Sequence, residues 1–262
     1  MVTNTVKPDF LIIGAAKAAT TTLSNMLALH PQAGIVKGKE PHFFSTDRYV
    51  TLGWAQYQQL YSHCADKLIA GDASTSYSRL RYNPDTIQRI QKHVPNVKII
   101  YMVRHPLKRM ESAYVERLAS PTLNEQHGSI NQAVKQQPMI IDSSRYWEVF
   151  DAYRQAFGED NIKIVWFEEF IKQPDEVFAD VCRFLGIDDQ IKVDLNSIKQ
   201  NTRNDALNRV DNLGRGEMKI QTEWSKKTKQ WVIEQIRDDT IQFLAHFGKP
   251  KNFWGDDFKK KK

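Results

Sequence analysis

Apolar residues along the chain alternate between two patterns. Short uninterrupted runs of apolar and β-branched residues recur, and segments with apolar residues at helical spacing separate them. The runs cover residues 10–13, 33–36, 68–70, 97–103 and 162–167. Strands that are apolar on both faces need helices on both sides of the sheet. The pattern therefore predicts an α/β fold in three layers, with a central parallel β-sheet of about five strands flanked by helices.

Three of the helical segments have clear boundary signals. The first is predicted to begin near Thr20 and to end before Pro31. A second is predicted to begin at Pro106, because proline suits the first helical turn. The third covers residues 174–185, with Gly186 placed to cap its carboxyl end.

A fourth helix is predicted near the carboxyl terminus, within residues 223–247. Large apolar residues recur there at roughly helical intervals and predict a packing stripe: Trp224, Trp231, Ile236, Phe243 and Phe247.

Length and composition favour a single globular domain. With 262 residues, of which 41% are apolar, the chain can bury one substantial core. We expect one domain over residues 1–262, with the recognisable motifs in residues 9–205 and a helical part with a basic tail in residues 206–262.

Charge and cysteine content exclude several classes of protein. The formal charge of +6 falls to +2 when the four lysines at 259–262 are set aside, so nucleic-acid binding is not expected. Cys64 and Cys182 have no metal-ligand spacing and form no disulfide framework. No signal peptide and no apolar run of membrane-spanning length is found, so we expect a cytoplasmic protein without membrane insertion.

The segment after the first predicted strand has the composition of a phosphate-binding loop. Gly14, Lys17 and small residues lead into a helix that starts with Thr20, Thr21 and Thr22. Small residues allow the backbone to approach an anion, and amides, hydroxyls and the ammonium can point at it. A Walker loop would instead place a lysine next to Ser/Thr after a second glycine. The lysine here lies in the middle of the loop, a position that suits a point charge aimed at an anion.

In this loop the chain resembles the sulfotransferases that use 3′-phosphoadenosine 5′-phosphosulfate (PAPS), particularly the carbohydrate or heparan sulfate branch with its bacterial members. Gly-x-x-Lys-x-x-Thr over residues 14–20 resembles their 5′-phosphosulfate loop, although the family usually has Gly-Gly or Ser-Gly where this chain has Ala18 and Ala19. The resemblance implies a P-loop-like fold, PAPS as donor and PAP as product. We expect no metal requirement, because Lys17, Arg104, Ser112 and loop amides can match the anionic groups instead of a cation. It assigns donor contacts to residues 17–22: Lys17, Ala18, Ala19, Thr20, Thr21 and Thr22.

A candidate general base follows the second predicted strand. Lys39-Glu40-Pro-His42-Phe-Phe resembles the segment in which the family carries its catalytic glutamate. An alcohol becomes a good nucleophile when its proton is removed, and we expect burial among Phe43 and Phe44 to raise the pKa of Glu40 for this task. His42 is the alternative base or an orienting partner, and Lys17 completes the catalytic set. Glu40 and His42 are also expected to contact the acceptor.

A second anion site is predicted where the strand 97–103 ends. Arg-x-Pro-x-x-Arg-x-x-Ser-x-Tyr, from Arg104 to Tyr114, resembles the 3′-phosphate motif of the family. Charged residues at the carboxyl ends of buried strands meet ligands in open α/β sheets. The resemblance implies that Arg104 and Ser112 bind the 3′-phosphate, while Arg109 either joins them or forms ion pairs on a helix surface.

Two further segments complete the resemblance. Asp72 and Ser74 lie where heparan sulfate enzymes often read Glu-Lys-Ser/Thr-Pro-x-Tyr, and Ala73 replaces that lysine. Both are expected to line the acceptor cleft, although Asp72 could instead cap the following turn. A late segment with Asn201, Thr202 and Arg203 resembles the loop that closes over the nucleotide.

The expected reaction is transfer of a sulfuryl group to a hydroxyl of a glycan, a glycolipid or a small polar molecule. One alternative is a P-loop kinase or NTPase with Asp72 as a magnesium ligand, which the loop spacing disfavours. The other is a non-catalytic nucleotide-binding protein, against which Glu40 and Lys17 argue. The sequence does not identify the acceptor or the oligomeric state.

Overall fold

The computed structural model describes residues 6–120, 128–194, 203–210, 212 and 220–258. The chain forms two compact units. The first comprises Met1–Arg104 and Phe150–Gln200, and the second comprises His105–Val149 and Asn201–Lys262.

The first unit contains a five-stranded parallel sheet with the order β2-β3-β1-β4-β5. Its strands are β1 (Phe10–Gly14), β2 (Ala33–Ile35), β3 (Ile69–Asp72), β4 (Lys98–Val103) and β5 (Ile162–Trp166). All five residues of β1 are buried, as expected for a central strand covered on both faces. The predicted fold class is confirmed. The third strand begins one residue later and ends two residues later than predicted, and Leu68 is exposed.

The helices bear out the predicted boundaries at Thr20, Pro106 and residues 174–185. In chain order they are α1 (Thr20–Leu29), α2 (Arg48–Thr51), α3 (Trp54–Gln59), α4 (Thr86–His93), α5 (Pro106–Leu118), α6 (Ile130–Gln136), α7 (Met139–Asp142), α8 (Tyr146–Phe157), α9 (Phe167–Lys172), α10 (Pro174–Leu185), α11 (Arg203–Val210) and α12 (Lys226–His246). Single 3₁₀ turns cover Phe43–Ser45, Ser62–Cys64, Thr75–Ser78, Glu159–Asn161 and Asp256–Phe258. Gly186 ends α10 in the left-handed conformation, as predicted.

The second unit packs around α12, and here one prediction is wrong. Trp231 was expected in the packing stripe, but it is 37% exposed. Ile236 and Phe243 of the predicted stripe are buried, and the other buried residues of α12 are Thr228, Val232, Ile233, Thr240 and Leu244. Trp224 lies before α12 begins, and Trp231 and Ile236 are five residues apart, about 140° around a helix, so they do not share one face. Large residues alone therefore did not identify the buried face.

None of the helices in the described part of the chain is long and apolar enough to cross a membrane.

Candidate active site

Four of the segments predicted to bind the donor and acceptor lie at one edge of the sheet in the first unit. Because β1 to β4 run parallel, their carboxyl ends meet at the same edge. The loop 15–19 follows β1, the segment 36–42 follows β2, residues 73–78 follow β3, and Arg104 follows β4.

The loop after β1 has the backbone shape of an anion-binding turn. Lys17 and Ala19 both adopt left-handed conformations, with φ of 73° and 68°. Ala19 caps α1 without a side-chain hydrogen bond, and the first turn of α1 contains no acidic residue. The amides and the positive end of the helix dipole therefore remain suited to a negative ligand. Left-handed geometry at Ala19 also explains why glycine is usual there in the family.

Arg104 is attached to this loop. Its Nη1 donates to the carbonyl oxygen of Lys17 at 3.0 Å, and its guanidinium lies 4.2 Å from the ring centroid of Phe167. The planar group is thus held between the loop and an aromatic ring at the end of β4. This is a suitable position for contact with a donor phosphate.

Glu40 is held by residues on both sides of its carboxylate. Thr75 donates to Oε2 through its hydroxyl at 2.9 Å and its backbone amide at 3.3 Å. Lys39 forms an ion pair with Oε1. The Glu40 side chain remains 27% exposed, so the carboxylate is oriented and still accessible.

The predicted direction of the Glu40 pKa is wrong. Burial favours a higher pKa, but the charge of Lys39 and the hydrogen bonds from Lys39 and Thr75 outweigh it, so the pKa of Glu40 lies below its ordinary value. Glu40 is therefore ionised at neutral pH. Phe43 and Phe44, which were expected to bury Glu40, pack with Trp54 and Tyr57 in an aromatic cluster.

His42 lies next to this carboxylate. Its Nε2 is 3.8 Å from Glu40 Oε2, its Nδ1 is 2.7 Å from Ser76 Oγ, and its backbone amide donates to Ser74 Oγ at 2.9 Å. Burial lowers the pKa of His42; the charge of Glu40 opposes this shift, and three nearby cations reinforce it: Arg79, Arg48 and Lys39. A neutral imidazole at pH 7 keeps His42 available as the alternative base.

The end of β1 connects the two parts of the site. A Cβ atom built on Gly14 would lie 2.4 Å from Ser78 Oγ and 3.4 Å from the carbonyl oxygen of Thr75. The turn that carries Thr75 is therefore packed against the start of the loop 15–19, the predicted phosphate loop. This contact brings the Glu40 carboxylate and the loop 15–19 to the same part of the sheet edge.

The prediction that Asp72 and Ser74 line the acceptor cleft is wrong. Both are fully buried. Asp72 accepts hydrogen bonds from Ser74 at 2.6 Å, Tyr77 at 2.6 Å and Tyr57 at 2.9 Å. Burial raises the pKa of Asp72 to about 6, against the effect of these three hydroxyl groups. Asp72 therefore has a structural role, in which it binds three hydroxyl groups in the protein interior. This geometry does not support Asp72 as a magnesium ligand of a kinase or NTPase.

The remaining predicted residues belong to the second unit. Ser112 is half-buried on α5. Arg109 is buried, with its Nε donating to Ser144 at 2.7 Å and its Nη2 to the Ile140 carbonyl, so pairing on a helix surface is wrong. Arg203 begins α11, whereas Asn201 and Thr202 lie outside the described residues.

Two contacts of Glu40 were missed by the sequence reasoning. Lys39 precedes Glu40 in the chain, and Thr75 follows β3. Both stand at the carboxyl ends of strands, which was the available signal, but the pairing of β2 with β3 that brings residue 40 to residue 75 is a tertiary contact.

Comparisons with known proteins bear on this arrangement. Residues 7–244 match the family described as Sulfotransferase domain. Human heparan sulfate glucosamine 3-O-sulfotransferase 6 is 37% identical over 112 residues, which are 43% of this chain and 31% of the human protein. The membrane-associated sulfotransferase kil1 of Dictyostelium discoideum is 28% identical over 155 residues, covering 55% of this chain and 32% of that protein. The matches thus span about a third of these relatives.

Solved structures show the same fold. A sulfotransferase from Alicyclobacillus acidocaldarius superposes with a TM-score of 0.71 at 24% identity, covering 95% of this chain and 99% of that one. The sulfotransferase domain of the curacin biosynthetic pathway gives a TM-score of 0.54 at 17% identity over 88% of this chain and 98% of that one. With the family match over residues 7–244, which extends through both units, the chain belongs to the sulfotransferase family.

Proposed function

We propose that this protein transfers the sulfuryl group of PAPS to a hydroxyl of a carbohydrate acceptor. The observation that carries the proposal is the placement of the Glu40 carboxylate, through Thr75, beside the start of the phosphate loop. A base and an anion-binding loop at one sheet edge are the two elements that this transfer needs.

The residues at this edge fit an anionic donor. Lys17 and the amides and hydroxyls at the start of α1 can surround the 5′-phosphosulfate. Arg104 can form two parallel hydrogen bonds to a phosphate through its planar guanidinium. Ser112, Asn201, Thr202 and Arg203 stay predictions for the 3′-phosphate and nucleotide. Because cationic side chains and amides match the charge of the donor, we expect no metal requirement.

The chemistry is a single in-line displacement at sulfur. The acceptor oxygen forms a bond to sulfur while the bond from sulfur to the 5′-phosphate oxygen breaks, and PAP leaves. Glu40 receives the proton of the hydroxyl as its oxygen becomes nucleophilic. Lys17 offsets the negative charge that grows on the departing phosphate oxygen. His42 is the alternative acceptor of the proton.

The carbohydrate acceptor is proposed from the relatives. The human relative is a heparan sulfate glucosamine 3-O-sulfotransferase by name. A glycan hydroxyl is a weak acid, so it needs a positioned base of the kind that Glu40 provides. We therefore expect heparan sulfate oligosaccharides to be accepted.

Calorimetry and product release test the proposal. We expect PAP to bind without added metal and ATP with magnesium to bind weakly or not at all. PAP should then be released from PAPS when heparan sulfate oligosaccharides are added, with chelator present. Activity that disappears with chelator and returns with magnesium would contradict the donor chemistry. PAP binding without release across a panel of glycan, glycolipid and small alcohol acceptors would favour a non-catalytic nucleotide-binding protein.

A further inference from the structure

Lys39 is the charged group in direct contact with the proposed base. Its ammonium pairs with Glu40 Oε1, while Thr75 occupies Oε2. Both members of the ion pair are mostly shielded, with side-chain exposures of 22% for Lys39 and 27% for Glu40. A shielded pair is less screened by solvent than a surface pair, so this contact has a larger effect on the charge state of Glu40.

The backbone explains how adjacent residues come to pair. Successive side chains point to opposite faces of a strand and do not face each other on a helix. Here Gly38 has φ of 83° and Lys39 has φ of 62°, so the chain turns through two left-handed residues. Two backbone hydrogen bonds fix this turn. The Lys39 amide donates to the Val36 carbonyl oxygen at 3.0 Å, and the Ala73 amide donates to the Lys39 carbonyl oxygen at 3.1 Å. Lys39 is thus held in place by residues that directly follow β2 and β3.

The charged groups around Glu40 influence whether its carboxyl group is ionised. Burial favours the neutral carboxyl, whereas the Lys39 charge is the largest influence that favours the carboxylate. His42 lies 3.8 Å away with a lowered pKa, and ionised Asp72 and Glu40 repel each other. Arg48 and Arg79 act on His42. Lys39 is therefore the cation in contact with Glu40 among the described residues.

We propose that Lys39 is a positioning residue of the transfer reaction, whose ammonium holds the Glu40 carboxylate in place against Thr75 so that it can receive the acceptor proton. The inference rests on the proposed role of Glu40 as the base. A carboxyl that is already protonated cannot accept a proton, and a bare carboxylate beside the phosphates of the donor would repel them. Lys39 opposes both effects.

The position of Lys39 also bears on the lysine that is missing at residue 73. The Ala73 amide binds the Lys39 carbonyl directly, so the backbone of Lys39 lies against the residue that replaces that lysine. Lys39 thus supplies an ammonium to this neighbourhood from the segment after β2 instead of the segment after β3.

A titration of Glu40 tests the inference without donor or acceptor. The full chain is labelled with ¹³C at the glutamate side-chain carboxyl, and the Glu40 signal is assigned by its loss in Glu40→Gln. In Lys39→Met we expect this signal to titrate at higher pH than in the wild type. Lys39→Arg should titrate near the wild type, because the charge is kept. Coincident titrations of Lys39→Met and wild type would overturn the inference.

Lys37→Met is the matched control, since it removes the same charge from an exposed side chain two residues away. It should leave the Glu40 titration in place, and an equal shift in this variant would overturn a specific role for Lys39. If Lys39→Met does not fold, as judged by its amide spectrum, Lys39→Gln replaces it. Turnover separates the two proposals. The acid limb of kcat should move with the titration in Lys39→Met. Native turnover in Glu40→Gln would contradict the assignment of the base and, with it, the role of Lys39, whereas coincident titrations beside a dead Glu40→Gln would contradict the role of Lys39 alone.

Discussion

Thr75 donates two hydrogen bonds to one oxygen of Glu40, from its hydroxyl at 2.9 Å and its amide at 3.3 Å. The two residues are 35 positions apart, and they meet because β2 and β3 are neighbours in the sheet. Thr75 is buried, and its carbonyl lies against the end of β1. A carboxylate held in this way has little freedom to rotate away from an acceptor.

Thr75→Val tests this contact. Valine keeps the shape of threonine and the amide bond, but it removes the hydroxyl that stabilises the carboxylate. We expect turnover to fall about 10-fold, which corresponds to about 1.4 kcal/mol and to the loss of one hydrogen bond to a charged group. Thr75→Ser keeps the hydroxyl and should remain close to wild type. PAP release measured for both variants checks this, and equal rates for Val and Ser would show that the hydroxyl does not matter.

Glu40→Gln tests the base itself. Glutamine keeps the size of the side chain but cannot accept the proton, so turnover should fall by roughly 10² to 10⁴ while PAP affinity stays the same. Since the pKa of Glu40 lies below its ordinary value, the acid limb of wild-type turnover should lie at lower pH than an ordinary glutamate would give. Kinetics from roughly pH 3 to pH 8 measure this. Native turnover in Glu40→Gln beside a dead His42→Ala would assign the role to His42.

The sequence predicted which loops form the site, but not how their side chains meet. Apolar runs identified the strands, and parallel strands place their carboxyl ends at one edge, so Lys17, Glu40 and Arg104 were expected near each other. The buried state of Asp72 was missed because it depends on Tyr57 and Tyr77, whose hydroxyl groups reach it only in the folded chain. The local pattern of apolar residues predicts where the strands lie, whereas the partners of a side chain across the sheet depend on the order of the strands.

Ala19→Gly tests the strained conformation of the phosphate loop. Ala19 has φ of 68°, where a Cβ atom costs about 1 to 2 kcal/mol, and glycine removes that cost but adds freedom to the unfolded chain. We expect a net gain of about 0.5 kcal/mol in the free energy of unfolding. Ala18→Gly is the control, since Ala18 is fully buried and is not among the residues with positive φ, and it should lose about 1 to 2 kcal/mol. Urea unfolding compares the two, and equal losses would exclude strain at Ala19.

Arg104→Ala tests the phosphate contact at the end of β4. The guanidinium supports the loop through the Lys17 carbonyl and can bind a donor phosphate, so we expect PAP affinity to fall by roughly 2 to 4 kcal/mol. Arg104→Lys keeps the charge without the planar fork and should have an intermediate affinity. Calorimetry with PAP measures both. Wild-type affinity in Arg104→Ala would move the phosphate site away from this residue.

Asp72 gives the fold a specific pH dependence. Its pKa is raised from 3.8 to about 6 by burial, so the folded protein binds this proton more tightly than the unfolded chain. The associated stability is fully present below pH 3.8 and is lost as the pH rises through about 6. At 1.36 kcal/mol per pH unit, the loss amounts to about 3 kcal/mol. Asp239, in the second unit, has a pKa of about 6 for the same reason and contributes a separate share.

Asp72→Asn should therefore weaken the fall in stability between pH 4 and pH 7. Asparagine stays neutral, so the pH-dependent stability that Asp72 contributes disappears while the contribution of Asp239 remains. Asp239→Asn should remove that second contribution. We expect each single variant to show a smaller difference in the free energy of unfolding between the two pH values, and the double variant the smallest. Urea unfolding of all four proteins at both pH values provides the measurement. An Asp72→Asn protein with the wild-type pH dependence would mean that Asp72 is ionised in the folded state throughout this range.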